Sequence, residues 1–450
     1  MPASSLWEEN KLNPEVIAII MFAGLLLSVF MGFPIAFVLL ANAMIFGYVG
    51  WGPVVFDLLV SRTYWIMTND VLVAVPLFVF MGYLLERAAI WDELFDALLL
   101  AVGALRGSLA LTTTIVCSIF AAATGIVGSE LTVMGLMALP AMIKRGYDVR
   151  LATGCILASG TLGILIPPSI MLILYGQIAQ LSIARLFAGA ILPGITLSGL
   201  YCIYILIRCY FQPHLGPALP EEERQVPVSK IILGLLKSFV PPIGLIFCVL
   251  GSIMFGIAAP TEAASMGAIG GLLLSIAYKK FTFKALTEAV YSALKTTSMV
   301  LFVAVGASCF TGVFLRLGGG NIMKDFLLGL PVGPIGLLIV MLLGIFIAGF
   351  FIDWIAILLI FIPIIIPIVK ELGFDPLWFA LIIAVTLQTS FLTPPFAVSI
   401  FYLKGVSPPE VTLTDIYKGV PYFIILQIIG LSICIIFPQL VLWLPTRMFG

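Results

Sequence analysis

The chain has 450 residues, of which 62% are hydrophobic and only 10% charged, with a formal net charge of zero and a mean hydropathy of +1.21. That composition lies outside the soluble range, and its many apolar runs approach the roughly 20 residues that cross a bilayer. A neutral balance without a basic patch gives no footing for nucleic acid.

Met1–Pro14 lacks a basic segment directly before an apolar core and does not read as a cleavable signal. Pro14–Met31 is the first expected span, and Gly32-Phe-Pro34 turns it into a second that reaches about Val49. A third is expected within Val54–Leu85, with Arg62 and Asp70 near its outer end. Glu86–Arg106 is too charged for lipid, yet Leu94, Ala97, Leu98 and Val102 recur at helical spacing. It reads as an amphipathic arm along the interface. Leu109–Met142 is apolar but carries Thr124-Gly-Ile-Val-Gly-Ser-Glu130 at its centre and basic residues at both ends. This predicts a re-entrant helical hairpin with Gly125 and Gly128 at the tip, the alternative being a straight span with a buried Glu.

Val149–Gln177 contains Gly160-Thr-Leu-Gly-Ile-Leu-Ile-Pro-Pro-Ser169. Proline lacks the N–H and clashes with the carbonyl four residues earlier, so Pro167-Pro168 should break a membrane helix. In hydrocarbon the freed carbonyls need other partners. A bound cation is one such partner, and a kink satisfied by neighbouring helices is the other reading. Ile183–Phe211 closes the first half, and Gln212–Ser229 is the only long polar linker. The second half repeats the plan: Lys230–Phe255, a Pro260-Thr-Glu262 turn, Ala263–Tyr278, an arm and span over Phe283–Arg316, and a polar Gly318–Asp325. A second hairpin, Gly333–Val369, has Gly349-Phe-Phe-Ile-Asp353 at its tip. A second broken helix, Pro376–Lys404, carries Gln388-Thr-Ser-Phe-Leu-Thr-Pro-Pro395, and Tyr422–Leu444 ends the plan.

The halves echo each other. Pro140, Gly146, Asp148, Pro167, Pro168 and Tyr175 recur as Pro367, Gly373, Asp375, Pro394, Pro395 and Tyr402, all at an offset of 227. With small slips, Leu77-Phe-Val79 and Gly82 match Leu301-Phe-Val303 and Gly306, and Pro34 matches Pro260. This reads as an internal duplication with one broken helix per half, the mark of a secondary transporter whose site lies where the repeats meet. The expected architecture is an all-α polytopic membrane protein of two inverted-topology repeats. The first spans 1–211 (hairpin 109–142, broken helix 149–177), 212–229 is a cytoplasmic linker, and the second spans 230–450 (hairpin 333–369, broken helix 376–404). Placing the N-terminus outside puts fifteen of the lysines and arginines on one face and seven on the other. The richer face is then cytoplasmic, with both termini periplasmic.

Glu130 and Asp353 stand 223 residues apart, each just after a Gly-containing tip. A carboxylate inside a membrane is costly and points to a cation partner, whereas capping a half-helix N-terminus is the other role open to it. Ser159, Thr161, Thr389, Ser390 and Thr393 sit within the breaks, where hydroxyls either bond back to their own helix or ligate Na⁺. Gly160 and Gly163 permit close backbone approach. Glu262 reads as a helix-start carboxylate. The seven cysteines are scattered through apolar segments without a CxxC pair and read as buried small hydrophobes. The only histidine, His214, lies in a polar loop, which excludes a His-based metal site or relay. Without a Walker A motif or a nucleophile beside a base, neither ATP-driven transport nor enzymatic catalysis is supported.

Pro140-Ala-Met-Ile-Lys-Arg-Gly-Tyr-Asp148, Ser159–Ser169, Pro260-Thr-Glu-Ala-Ala264 and Thr393-Pro-Pro395 together resemble the large membrane subunit of tripartite ATP-independent periplasmic (TRAP) transporters, over essentially the whole length. The resemblance implies Na⁺-coupled import of an organic acid anion by an elevator-type fold in the bacterial or archaeal inner membrane. It implies two partners, a soluble periplasmic substrate-binding protein and a small four-helix membrane subunit, here a separate chain. It also implies Na⁺ sites between each hairpin tip and the neighbouring break, with no cofactor beyond Na⁺. These map onto Thr124, Gly125 and Ser129 with Gly160, Gly163 and Pro167, and onto Gly349 and Asp353 with Thr389, Thr393 and Pro394. Glu130, Ser159, Thr161 and Ser390 are candidates for substrate binding or coupling. The sequence departs from the common pattern at the first tip, where Ser-Gly-Ser reads Thr124-Gly-Ile126 and a following Asp is Glu130. The rival expectations are a stand-alone Na⁺/dicarboxylate symporter of similar architecture and, from another class, a channel or structural subunit.

Overall fold

The computed structural model describes residues 13–125, 127–394 and 397–450. Every regular element among them is a helix, as expected where backbone polar groups find no water and have to pair within each segment. Among the described residues seven helices are long and apolar enough to cross a membrane, or eight if the bent pair Asp70–Arg87 and Ile90–Val102 counts as one span. The reading of residues 1–12 as no signal segment lies outside the described residues.

The chain folds as two compact units, each discontinuous in sequence. The first gathers the described residues up to Asp70, Ile178–Gln180 and Thr297–Pro376; the second holds Val71–Gln177, Leu181–Thr296 and Leu377–Gly450. In the first unit Asn13 caps the helix Pro14–Phe30, its side chain accepting the Glu15 N–H at 3.1 Å. Gly32 turns the chain at φ +82° into the helix Ile35–Trp51. Phe22 packs 6.2 Å from the ring centres of both Phe314 and Phe361. Gly306 lets the helix Phe283–Arg316 approach so closely that a Cβ there would stand 2.8 Å from the Ala36 carbonyl oxygen.

The span expected within Val54–Leu85 is interrupted instead. The helix Val55–Met67 stops at Thr68, whose hydroxyl and N–H both turn back to the Tyr64 carbonyl, and a 3-10 turn Asp70–Val73 leads into the helix Ala74–Arg87. Local bonding by polar side chains in Thr68-Asn-Asp70 competes with the helical ladder. The segment Gly318–Asp325 was expected to be merely polar, but it belongs to a helix, Gly319–Leu328, opened by Gly318 at φ +86°.

In the second unit the arm is the helix Ile90–Val102, with Leu94 and Ala97 buried and Trp91 stacked 4.4 Å from Phe120. Gly267 and Gly271 bring the helix Pro260–Ala277 onto the backbone and side chain of Met81. Glu262 accepts the Ala259 N–H at 2.8 Å, the helix-start role expected of it.

At two prolines inside spans the freed carbonyl is refilled by a distant hydroxyl. Pro363, within the helix Trp354–Glu371, leaves the Leu359 carbonyl without its helical donor, and the Thr311 hydroxyl donates to that oxygen at 2.8 Å. Pro241 does the same to the Lys237 carbonyl, which accepts the Tyr278 hydroxyl at 2.8 Å. All seven cysteines are free; Cys248 is exposed and Cys202 partly so, which corrects the expectation that all are buried. A thiol is apolar enough to face lipid as readily as a core.

Candidate functional site

The first hairpin is formed by the helices Ser108–Thr124 and Val127–Lys144, joined at Gly125, which takes φ +62°; Ile126 lies outside the described residues. Gly146, at φ +74°, ends the second helix, and Asp148 caps the next one by accepting the Leu151 N–H at 3.0 Å. Gly373, which the 227-residue offset pairs with Gly146, takes φ +78° just after the helix Trp354–Glu371. A left-handed glycine is what both positions require, and that accounts for its repetition.

The helix Val149–Gly160 tightens into a 3-10 turn, Thr161–Ile164, and gives way at the cis-linked Pro167-Pro168 before Ile170–Ala179 resumes. The interruption falls on the predicted stretch. Pro168 frees the Ile164 carbonyl, and Ser169 fills it with its hydroxyl at 2.6 Å.

The tip and the break meet. A Cβ on Gly125 would stand 2.9 Å from the Pro168 carbonyl oxygen, and one on Gly160 would strike the Leu131 side chain. A Cβ on Gly163 would collide with Oε1 of Glu130, so the carboxylate occupies the space that the missing side chain leaves. Glu130 is fully buried. Its Oε1 accepts the Thr124 hydroxyl at 3.1 Å, and its Oε2 has no hydrogen-bond partner among the described residues. A buried carboxylate with a free oxygen is costly until a cation or proton meets it. Thr124, Gly125, Glu130, Gly160, Gly163 and buried Pro167 therefore belong to one neighbourhood. Ser129 faces elsewhere, donating its hydroxyl to Glu86 at 2.5 Å.

Ser159 and Thr161 donate back to the Cys155 and Ala158 carbonyls at 2.6 and 2.8 Å. Thr161 also accepts from the Gln427 amide at 3.2 Å, so its oxygen is engaged on both sides. In the second broken helix, Thr389, Ser390 and Thr393 donate to the carbonyls of Val385, Leu387 and Thr389 at 3.2, 2.7 and 2.7 Å. A hydroxyl that donates its hydrogen still has lone pairs for a cation. This helix, Pro376–Leu392, resumes as Val398–Val406; Pro394 is exposed, and Pro395 lies outside the described residues. Past the break, Tyr402 lays its ring 3.3 Å from where a Gly128 Cβ would stand, against the first hairpin.

Gly349 and Asp353 lie in the first unit, on the turn between the helices Pro334–Ala348 and Trp354–Glu371. Gly349 is right-handed at φ −65°, and Asp353 caps the second helix by accepting the Ile355 N–H at 3.2 Å. Two polar residues went unnoticed in the sequence. Glu86 reads there only as the start of the arm. Gln388 is fully buried with neither end of its amide partnered among the described residues. The 227-residue offset places Gln388 opposite Thr161 and was the signal for it.

The family model described as tripartite ATP-independent periplasmic transporter, DctM component, matches residues 19–440. The chain belongs to this family. Within the TRAP transporters it is similar to the ectoine/5-hydroxyectoine large permease protein UehC of Ruegeria pomeroyi, at 28% identity over 95% of this chain and 99% of that one. It is likewise 28% identical to the sialic acid large permease protein SiaM of Vibrio cholerae, over 85% of this chain and 88% of that one. Among solved structures, the Alcanivorax borkumensis YdaH transporter shares the fold, with a TM-score of 0.60 and 15% identity over 97% of this chain and 99% of the other. The chain is thus a multi-pass membrane component of a TRAP transporter.

Proposed function

We infer that the chain is the membrane-embedded carrier of a Na⁺-coupled importer for a small organic acid anion, delivered by a soluble periplasmic binding protein. The observation that carries this reading is the buried Glu130 carboxylate, held between the hairpin tip and the break with one oxygen unpartnered. Na⁺ favours oxygen ligands, which carbonyls at an unwound helix, hydroxyls and a carboxylate supply. The first Na⁺ would be held by Thr124, Gly125, Gly160, Gly163 and Pro167 with the Glu130 charge close by, Ser129 being the weakest member of the set. The second Na⁺ stays where the resemblance implies it, on Gly349 and Asp353 and on Thr389, Thr393 and Pro394. Filling the tip sites would firm the hairpins before substrate binds, with Ser159 and Ser390 as candidate contacts.

The duplication supports two inverted repeats, 1–211 and 230–450, joined by a cytoplasmic linker at 212–229. The hairpins and broken helices would move as one elevator against the arms and the remaining spans. The names of the relatives, one for ectoine compounds and one for sialic acid, agree with a carboxylate-bearing substrate. A small four-helix membrane subunit would complete the scaffold in the inner membrane.

Uptake into proteoliposomes holding both membrane subunits tests the reading. Accumulation should require an inward Na⁺ gradient and the substrate-loaded binding protein together. Equal uptake by the large chain alone would make it a stand-alone symporter, and equal uptake without Na⁺ would end the ion assignment.

A further inference from the structure

Away from the hairpin, the second unit holds a cleft of about 490 Å³ lined by Asp148, Arg150, Tyr204, Arg208, Tyr417, Lys418 and Tyr422, with apolar neighbours. Two glycines build it. A Cβ on Gly154 would stand 2.5 Å from the Gly419 carbonyl oxygen, and one on Gly419 would collide with the Arg150 carbonyl. The helices Val149–Gly160 and Leu413–Gly419 consequently touch, which brings Arg150 and Lys418 to one mouth. Arg208 enters from the helix Ile183–Phe211, its guanidinium 5.0 Å from the centre of the Tyr422 ring.

The charges there are unbalanced. Among the described residues, none of Arg150, Arg208 and Lys418 forms an ion pair. Two carboxylates lie nearby: Asp148, in the wall, accepts the Leu151 N–H, and Asp415, held by the backbone and hydroxyl of Thr412, also feels the Lys418 and Arg150 charges. Three cations therefore meet two carboxylates, and one positive charge is in excess. Three cations beside Tyr204, Tyr417 and Tyr422 thus line a cleft with one carboxylate in its wall and a second nearby, a net positive setting that can receive a phosphate group.

We propose that this cleft binds the phosphate headgroup of an anionic membrane phospholipid. The cleft's surroundings favour a lipid over free phosphate. Ile425 and Ile429, three and seven positions beyond Tyr422 on the same helix, are exposed apolar side chains within a candidate span. They continue from the Tyr422 edge of the cleft along one helix face that would sit in hydrocarbon, where acyl chains would lie. Basic pockets between membrane helices are a recurrent setting for acidic headgroups, and each surface cation contributes about a five-fold preference for anionic lipid.

The test uses the complex of both membrane subunits in nanodiscs of phosphatidylcholine with a minor share of phosphatidylglycerol, and quantifies the lipid retained after detergent exchange by native mass spectrometry. Phosphatidylglycerol should be retained about one per large chain and be displaced by high salt. Retention should fall about five-fold in each of Arg150→Gln and Lys418→Gln, both exposed positions, and further in the triple variant with Arg208→Gln. Equal retention in all variants overturns the proposal. Stabilisation by inorganic phosphate in pure phosphatidylcholine as large as that by phosphatidylglycerol overturns it as well, assigning the cleft to a free anion.

Discussion

Glu130 and Asp353 meet their surroundings in different ways, and the difference decides how each can be tested. Asp353 caps a helix, a role asparagine fills equally well. Asp353→Asn should therefore leave expression and thermal stability unchanged while removing the charge. If that charge helps hold Na⁺, half-maximal uptake should need roughly tenfold more Na⁺ or beyond, since a charged partner in a buried site is worth at least about 1.4 kcal/mol. Unchanged Na⁺ dependence would reduce Asp353 to a cap; Asp353→Ala, by contrast, should cost about 1 kcal/mol of stability whatever the ion does. Gly163 offers a second probe. Gly163→Ala forces a methyl group against the Glu130 carboxylate, an overpacking of about 1–3 kcal/mol. Uptake should collapse while insertion into the membrane persists, and wild-type Na⁺-driven uptake in this variant would remove the tip–break contact from the mechanism.

At the scale of the helix, proline is used in two ways. Pro167-Pro168 ends one helix and separates it from the next, and Ala at both positions restores roughly 3 kcal/mol of helix propensity each. A rewound helix would close the carbonyls that the break exposes, so Pro167→Ala with Pro168→Ala should insert normally and fail to transport. Pro363 instead stays within a continuous helix, with the Thr311 hydroxyl on the Leu359 carbonyl that it frees. Thr311→Val should thus destabilise by about 1–3 kcal/mol, the cost of an unmet buried acceptor. Adding Pro363→Ala returns the helical donor and should recover most of that loss. Additive losses in the double variant would show that the hydroxyl has no such role.

At the scale of the molecule, the unequal lysine and arginine count expected for the two faces predicts an orientation with both termini periplasmic. A fluorescent protein inserted in the linker 212–229 should be bright, because it folds in the cytoplasm. Alkaline phosphatase fused at the C-terminus should be active, because that end is expected in the periplasm. The opposite pair of signals would invert the orientation, and with it the side from which each hairpin enters.

The sequence by itself determined what one-dimensional chemistry can carry. Apolar length marked the spans, Pro-Pro marked the interruption, and the 227-residue offset paired Gly146 with Gly373, both of which are left-handed. Pro140–Asp148, Ser159–Ser169, Pro260–Ala264 and Thr393–Pro395 together were enough to single out the family. Ser159, Ser390 and Thr393 bond back to their own helices, as the sequence allowed, but tertiary structure alone decided the partners that lie far along the chain. Thr161 meets Gln427 from 266 residues away, Ser129 turns to Glu86, and Thr311 answers a carbonyl on another helix. Glu130 was legible as a costly charge, but its nesting against Gly163 required two helices to pack before the glycine's missing side chain became a space. The cationic cleft was equally hidden, since Arg150, Arg208 and Lys418 share no local pattern: the Gly154–Gly419 contact joins the helices of Arg150 and Lys418, and Arg208 reaches them from a third helix.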